Sequence, residues 1–205
     1  MTAGPARLTW EDRAEIAARL RAGEVGLLPT DTVYGLAASP EQPEACYRIF
    51  ALKRRPDTHK LPILVHGPEA FAELGLDISP AARRLLASPH VPGALTLALG
   101  FREGERPDWL DGREEVALRA PDHARLRAVL REAGPICATS ANAHGLPTPE
   151  TVPEILAQLD GAPDFLIDDG PRPTVPSTVV NCRLDPPRVE REGVVSKAQI
   201  EEALR

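Results

Sequence analysis

The sequence predicts an α/β (α+β) fold, a mixed sheet with helices packed against it. Three observations predict this. Short apolar, strand-like runs alternate with segments of helical spacing along the 205 residues, as in folds built from packed layers. The helical segments are too few for a regular doubly wound sheet, so parallel and antiparallel neighbours must mix. The 22 prolines lie between apolar runs, which suits many short, rigid connections better than one disordered linker. No internal repeat or low-complexity tract breaks the chain, and residues 1–205 read as a single domain with a substantial core.

The first helix is expected over Trp10 to Ala22, with Thr9 as N-cap, Asp12 three residues on, Ile16 and Leu20 on one face, and Gly23 ending it. Val25 to Leu28 reads as a strand that breaks into a polar turn at Pro29. Helical spacing returns in "PEACYRIFALKRR", with Tyr47, Ile49, Phe50 and Leu52 as packing residues. Its basic C-terminal end complements the helix dipole. Pro62 to His66 is a buried-strand candidate. "PAARRLLAS" and "HARLRAVLREAG" are amphipathic helices, and "ALTLALG", "EVALRA", "PICATS", "DFLIDD" and "STVVNC" are strands. A last helix, "SKAQIEEALR", opens on a capping box of Ser196 and Gln199.

Composition narrows function. The formal net charge is −6 and aromatics make up 4%, so neither a general nucleic-acid binder nor a base-stacking module is expected. Any anion site must be a local concentration of cations, and "ALKRRPDTHKLPILVHG" is the densest one. It holds two of the three lysines, Lys53 and Lys60. Cys46, Cys137 and Cys182 have no paired spacing, which favours free thiols in a reducing cytoplasm over a disulfide or zinc site. The histidines form no metal-binding pair. Neither a signal peptide nor a membrane span is expected.

Five polar clusters fall at strand ends, where side chains converge on one rim of a sheet. "PTDTVYGL" is either a threonine-stabilised turn or a binding site for a small polar ligand. Lys53-Arg54-Arg55 is either a solvated helix end or a phosphate grip; in extended geometry Lys53 and Arg55 would point the same way. "ATSANAHGLPTP" offers small residues beside Thr139, Ser140 and Asn142. "VPSTVV" places Ser177 and Thr178 at a strand start, and in "VEREGVV" Arg191 precedes a flexible Gly193. No Walker loop, dinucleotide fingerprint or nucleophile elbow is present in the sequence.

Taken in order, "LPTDTVYGL", "LKRRP…LPILVH", "VPGALTLAL", "VALRAPDH", "ATSANAHGLPTP", "PSTVV" and "REGVVS" resemble the YrdC/TsaC family, the threonylcarbamoyl-AMP synthases. The most specific part is the Lys53-x-Arg55 pair with the Ser140-x-Asn142 pair. The resemblance spans about Ala18 to Leu204 and looks like the short form, without a further C-terminal domain. Val91 stands where many relatives have tryptophan before "PG".

The resemblance implies a YrdC-like twisted mixed sheet flanked by helices, with a concave, positively charged cavity. It implies synthesis of threonylcarbamoyl-AMP and pyrophosphate from L-threonine, bicarbonate and ATP, for modification of adenosine 37 of tRNA. The threonine pocket would use Thr32, His66, Arg119, Ala138 and Ser177. The ATP site would use Lys53, Arg55, His59, Glu115, Ser140, Asn142, Thr148 and Arg191, with Lys53, Arg55, Ser140 and Asn142 as the catalytic set. Because the reaction brings anions together, cations and positioning matter more than a strong base. Mg²⁺ would arrive with ATP, since no carboxylate cluster suggests a dedicated protein site. The downstream recipient would be the threonylcarbamoyl transferase complex that modifies tRNA, and local tRNA contact stays open. The rivals are a paralogue that binds nucleotide or RNA without synthase activity, and a carbamoyl-transfer domain of the hydrogenase-maturation type.

Overall fold

A computed structural model describes residues 4–56, 61–110 and 112–205. Its ten strands are β1 (Ala6–Leu8), β2 (Gly26–Leu28), β3 (Gly35–Ala38), β4 (Ile63–Leu64), β5 (Leu95–Gly100), β6 (Glu115–Arg119), β7 (Ile136–Ser140), β8 (Phe165–Ile167), β9 (Thr178–Asn181) and β10 (Arg188–Arg191). They form one sheet in the order β1-β8-β2-β3-β7-β4-β6-β5-β9-β10. The sheet is mixed as predicted. Parallel pairing joins β1 to β8, β8 to β2, β4 to β6 and β5 to β9, and the remaining neighbours are antiparallel.

Alternation along the strands splits the interior into two cores, because successive side chains leave a strand on opposite faces. Leu27, Leu36, Ile63, Cys137 and Leu166 enter one core, while Leu28, Ala37, Leu64, Ala138 and Phe165 enter the other. Helices cover both faces. The first core packs under α2 (Pro43–Lys53), α4 (Pro80–Leu86), α6 (Val152–Gln158) and α7 (Lys197–Ala203), with the short α3 (Ala70–Glu73) beside them.

The second core packs under α1 (Arg13–Arg21) and α5 (Ala124–Ala133). Ile16 and Leu20 of α1 and Leu126, Val129 and Leu130 of α5 are at most 1% exposed. Each such side chain contributes about 1.5–3 kcal/mol. Past Leu64 and Ala138 this same sheet face turns polar, with Thr96 on β5 and Arg119 on β6. A polar-walled cavity lies there.

The first helix begins as a 3₁₀ turn at Trp10–Asp12, and the Thr9–Asp12 box is present. Gly23, at φ +86°, ends the helical run. The Ser196–Gln199 box is likewise in place. Tyr47 departs from expectation: it is 55% exposed, because two residues past Ala45 a helix has turned about 200° from its buried face.

The expected helix through Arg55 instead stops at Lys53. Arg54 adopts φ 51°, ψ 40°. The Arg54 N–H bonds the Ala51 carbonyl and the Arg55 N–H bonds the Phe50 carbonyl, the paired closure of a Schellman motif. Three strands, β1, β3 and β10, and two helices, α3 and α6, were not expected from sequence. The cysteines are free thiols as expected; Cys46 Sγ of α2 donates to the Ser39 carbonyl (3.6 Å), and Cys137 of β7 lies close enough to influence its titration.

Candidate active site

The polar turn after β2 is held by its own hydroxyls. Thr30 Oγ1 accepts from the backbone N–H of Thr32 (3.1 Å) and Val33 (3.2 Å), and donates to the Val33 carbonyl (2.7 Å). The turn is therefore threonine-stabilised, and its threonines also line a cavity of about 90 Å³. The same cavity is lined by Leu64, Thr96, Ala138, Thr139 and Ser140 from the sheet. Arg119, Ser177 and Arg191 complete its polar wall.

Arg119 ends β6 inside the cavity wall. Its Nη1 donates to Thr32 Oγ1 (2.7 Å), and its Nη2 donates to Asp31 and reaches Thr30 Oγ1 at 3.5 Å. Its Nε has no partner. Burial weakens its hold on the proton and Asp31 strengthens it, but a guanidinium stays charged in either case.

Arg191 comes from β10. Its Nη2 donates to the Ser177 carbonyl (2.8 Å) and reaches Ser177 Oγ at 3.3 Å, while Nε donates to the same carbonyl (3.2 Å). Ser177 Oγ in turn lies 2.8 Å from Thr96 Oγ1. Burial, then the charges of Arg119 and Arg55, lower the Arg191 pKa. Three guanidiniums thus share one field.

Gly193 supports this wall by close approach, not by the flexibility expected of it. A Cβ there would fall 2.7 Å from the Ser177 carbonyl group, while the Gly193 N–H donates to Thr178 Oγ1 (2.9 Å).

Lys53 and Arg55 flank the left-handed Arg54, yet both side chains reach the end of β7 and their charges interact. Lys53, 2% exposed, turns inward. Its ammonium donates to the Ser140 carbonyl, the Asn142 carbonyl (2.7 Å) and Asn142 Oδ1 (3.3 Å). Ser140 Oγ donates to Asn142 Oδ1 (2.6 Å), and the His144 N–H returns to the Lys53 carbonyl (2.8 Å). The Lys-x-Arg and Ser-x-Asn motifs therefore form one hydrogen-bonded unit. Arg55 also reaches β7: Nη1 donates to Thr139 Oγ1 (3.3 Å), its guanidinium sits 5.8 Å from the Phe50 ring centre, and among the described residues Nε has no partner. Arg54 is exposed and pairs with Asp160.

The remaining expected residues divide. His66 follows Val65, whose N–H donates to the Arg119 carbonyl (2.9 Å), so it stands at the Arg119 rim; its Nε2 is 3.4 Å from Glu69. Thr148 is half-buried on the loop beyond Asn142. Glu115 lies at the far end of β6 from Arg119 and pairs with Arg183 (2.9 Å). The strand thus separates Glu115 from the cavity. His59 lies outside the described residues. Sequence reasoning missed Asp31, Thr30 and Thr96 as individual site residues. Thr96 carried a usable signal, a lone hydroxyl on the otherwise apolar "ALTLALG".

Residues 18–193 match the Sua5/YciO/YrdC family, described as telomere recombination. The chain belongs to this family. It is 38% identical over 195 residues to a threonylcarbamoyl-AMP synthase of Bacillus subtilis, across 93% of this chain and 56% of that one. It therefore spans little more than half the length of that relative. Among solved Sua5/YciO/YrdC structures, P. abyssi Sua5 complexed with L-threonine superposes with a TM-score of 0.82 at 30% identity, covering 98% of this chain and 60% of that one. E. coli YciO superposes at 0.78 with 27% identity, covering 93% of both chains.

Proposed function

We propose that this chain is an L-threonylcarbamoyladenylate synthase. It forms threonylcarbamoyl-AMP and pyrophosphate from L-threonine, bicarbonate and ATP, and its product serves the modification of adenosine 37 in tRNA. The observation that carries the reading is Arg119, a buried guanidinium set among threonine hydroxyls in the same cavity as Arg191 and near Arg55. The threonine-bound P. abyssi relative supports it.

Arg119 binds the threonine carboxylate, with Thr32, Ala138 and Ser177 shaping the pocket and His66 at its rim. The threonine amine attacks the bicarbonate carbon and water leaves, giving a carbamate whose oxygen attacks the α-phosphorus of ATP while the bond to the leaving pyrophosphate breaks. Arg55 and Arg191 neutralise the charge that accumulates on the phosphates. Ser140 and Asn142 orient the nucleotide, and Lys53 holds both in place from behind. The positions of His59, Thr148 and Glu115 belong to the same ATP-site expectation; for Glu115 the pairing with Arg183 leaves at most a backbone contribution.

Mg²⁺ would be carried by the ATP phosphates themselves, where it would supply charge screening. Among the described residues no group of three His, Cys, Asp or Glu is placed to hold a metal. The protein works in the cytoplasm and passes its product to the threonylcarbamoyl transferase complex. No described helix is long and apolar enough to cross a membrane.

Incubation with ATP, bicarbonate and L-threonine tests the proposal. Threonine-dependent release of pyrophosphate together with the mixed anhydride is the expected result. Pyrophosphate release that ignores threonine, or none at all, refutes it.

A further inference from the structure

Arg119 and Arg191 line the cavity and Arg55 stands near enough to act on Arg191, and these three guanidiniums differ in one respect. Among the described residues Arg55 and Arg191 have no carboxylate partner, and bond only to the Thr139 hydroxyl and to Ser177. Arg119 is paired with Asp31, and the pair is nearly dry, with side chains 7% and 13% exposed. Asp31 is not part of the cavity lining, so its effect on a ligand must pass through Arg119. Asp31 and Thr30 occupy the N–H groups of Nη2, and Thr32 occupies one on Nη1. Of the five guanidinium N–H groups, Nε and one on Nη1 are left for a ligand.

We propose that Asp31 is a positioning residue that determines which anion Arg119 accepts. Resting on the synthase reading above, the inference is that Asp31 cancels enough of the Arg119 charge to leave a site for one monoanionic carboxylate. Phosphate groups, with more charge and more acceptors, go to the unpaired Arg55 and Arg191. Without this sorting, three neighbouring guanidiniums in one cavity would form a single polyanion site. Phosphates would then compete with the amino acid for its own arginine. Specificity here comes from a built-in repulsion as much as from attraction.

Calorimetric titration of L-threonine and of inorganic pyrophosphate, alone and together, distinguishes the outcomes. In the wild-type protein, pyrophosphate should leave threonine affinity nearly unchanged. In Asp31→Asn, Arg119 keeps its full charge, so pyrophosphate should now compete with threonine and lower its apparent affinity about tenfold. Asp31→Ser removes the same charge with a smaller side chain and reads the same competition should Asp31→Asn fail to fold, which circular dichroism would show. Asp31→Glu keeps the charge and should keep the two ligands independent. Independent binding in the folded neutral variants overturns the proposal, as does competition in Asp31→Glu. Wild-type protein that binds no threonine would instead refute the synthase reading, so the two failures are distinguishable.

Discussion

Burial, and then the charge of Arg55, pull the Lys53 ammonium down from 10.5 to about 8. Its three acceptors belong to Ser140 and Asn142, so its protonation sets how firmly that loop is held. Activity should therefore fall as pH rises through about 8, and the fall should appear in the KM for ATP before the KM for threonine. The stability effect has the opposite sign. Between about 8 and 10.5 the unfolded chain holds this proton more tightly than the folded one, so the group adds stability as pH rises through that window. Lys53→Arg should move the activity limb to higher pH. A limb that stays at 8 in that variant would assign it to another group. Arg55, by contrast, has one weak hydroxyl contact and an unpartnered Nε. Arg55→Ala should cost about 2–4 kcal/mol of transition-state stabilisation, read as a loss of kcat/KM at unchanged fold; a near-normal rate would take Arg55 off the phosphate path.

Elements carry these residues by their ends, and two substitutions test the ends directly. Arg54 sits in the left-handed position that closes α2, where glycine is usual. An L-residue there costs about 1–2 kcal/mol, and glycine gives back about 0.5–1 in chain entropy. Its ion pair with Asp160 is exposed on both sides and adds little. Arg54→Gly should thus raise the melting temperature by about 1–4 °C, measured by thermal unfolding, without changing activity. Gly193→Ala should do the reverse, because its Cβ would press on the backbone of Ser177. We expect about 1–3 kcal/mol of destabilisation and a raised KM for threonine; an unchanged KM would detach Gly193 from the pocket. The elements that sequence reading missed share a physical cause. β3 is "GLAA", small residues buried on both faces, so it shows neither alternation nor β-branched character. β1 has three residues and finds its partner β8 about 160 positions later. The α6 helix did carry a signal in its Thr151–Glu154 capping box, which went unread within a proline-rich stretch.

At the scale of the whole molecule, what sequence could not show is convergence. The motifs were legible one by one, since each has a polar cluster after an apolar run. That Lys53 holds Ser140 and Asn142 across 87 and 89 positions, or that Cys46 meets Cys137, depends on β7 lying between β3 and β4 and on α2 packing against that core. The same convergence gives an acidic protein of net charge −6 a cavity lined by two guanidiniums, Arg119 and Arg191, with that of Arg55 close by. Such a cavity predicts that a polyanion stabilises the fold. Pyrophosphate at a hundredfold excess over its dissociation constant should add about 2.7 kcal/mol, or roughly 5–10 °C in a domain of this size. Potassium chloride at matched ionic strength should not reproduce the rise, because chloride only screens charge and offers no several-oxygen contact to the guanidiniums of Arg55 and Arg191. Removing both unpaired cations, in Arg55→Ala with Arg191→Ala, should abolish it while leaving the unfolding cooperative. An equal rise with chloride, or a full rise in the double variant, would place the anion site elsewhere on the molecule.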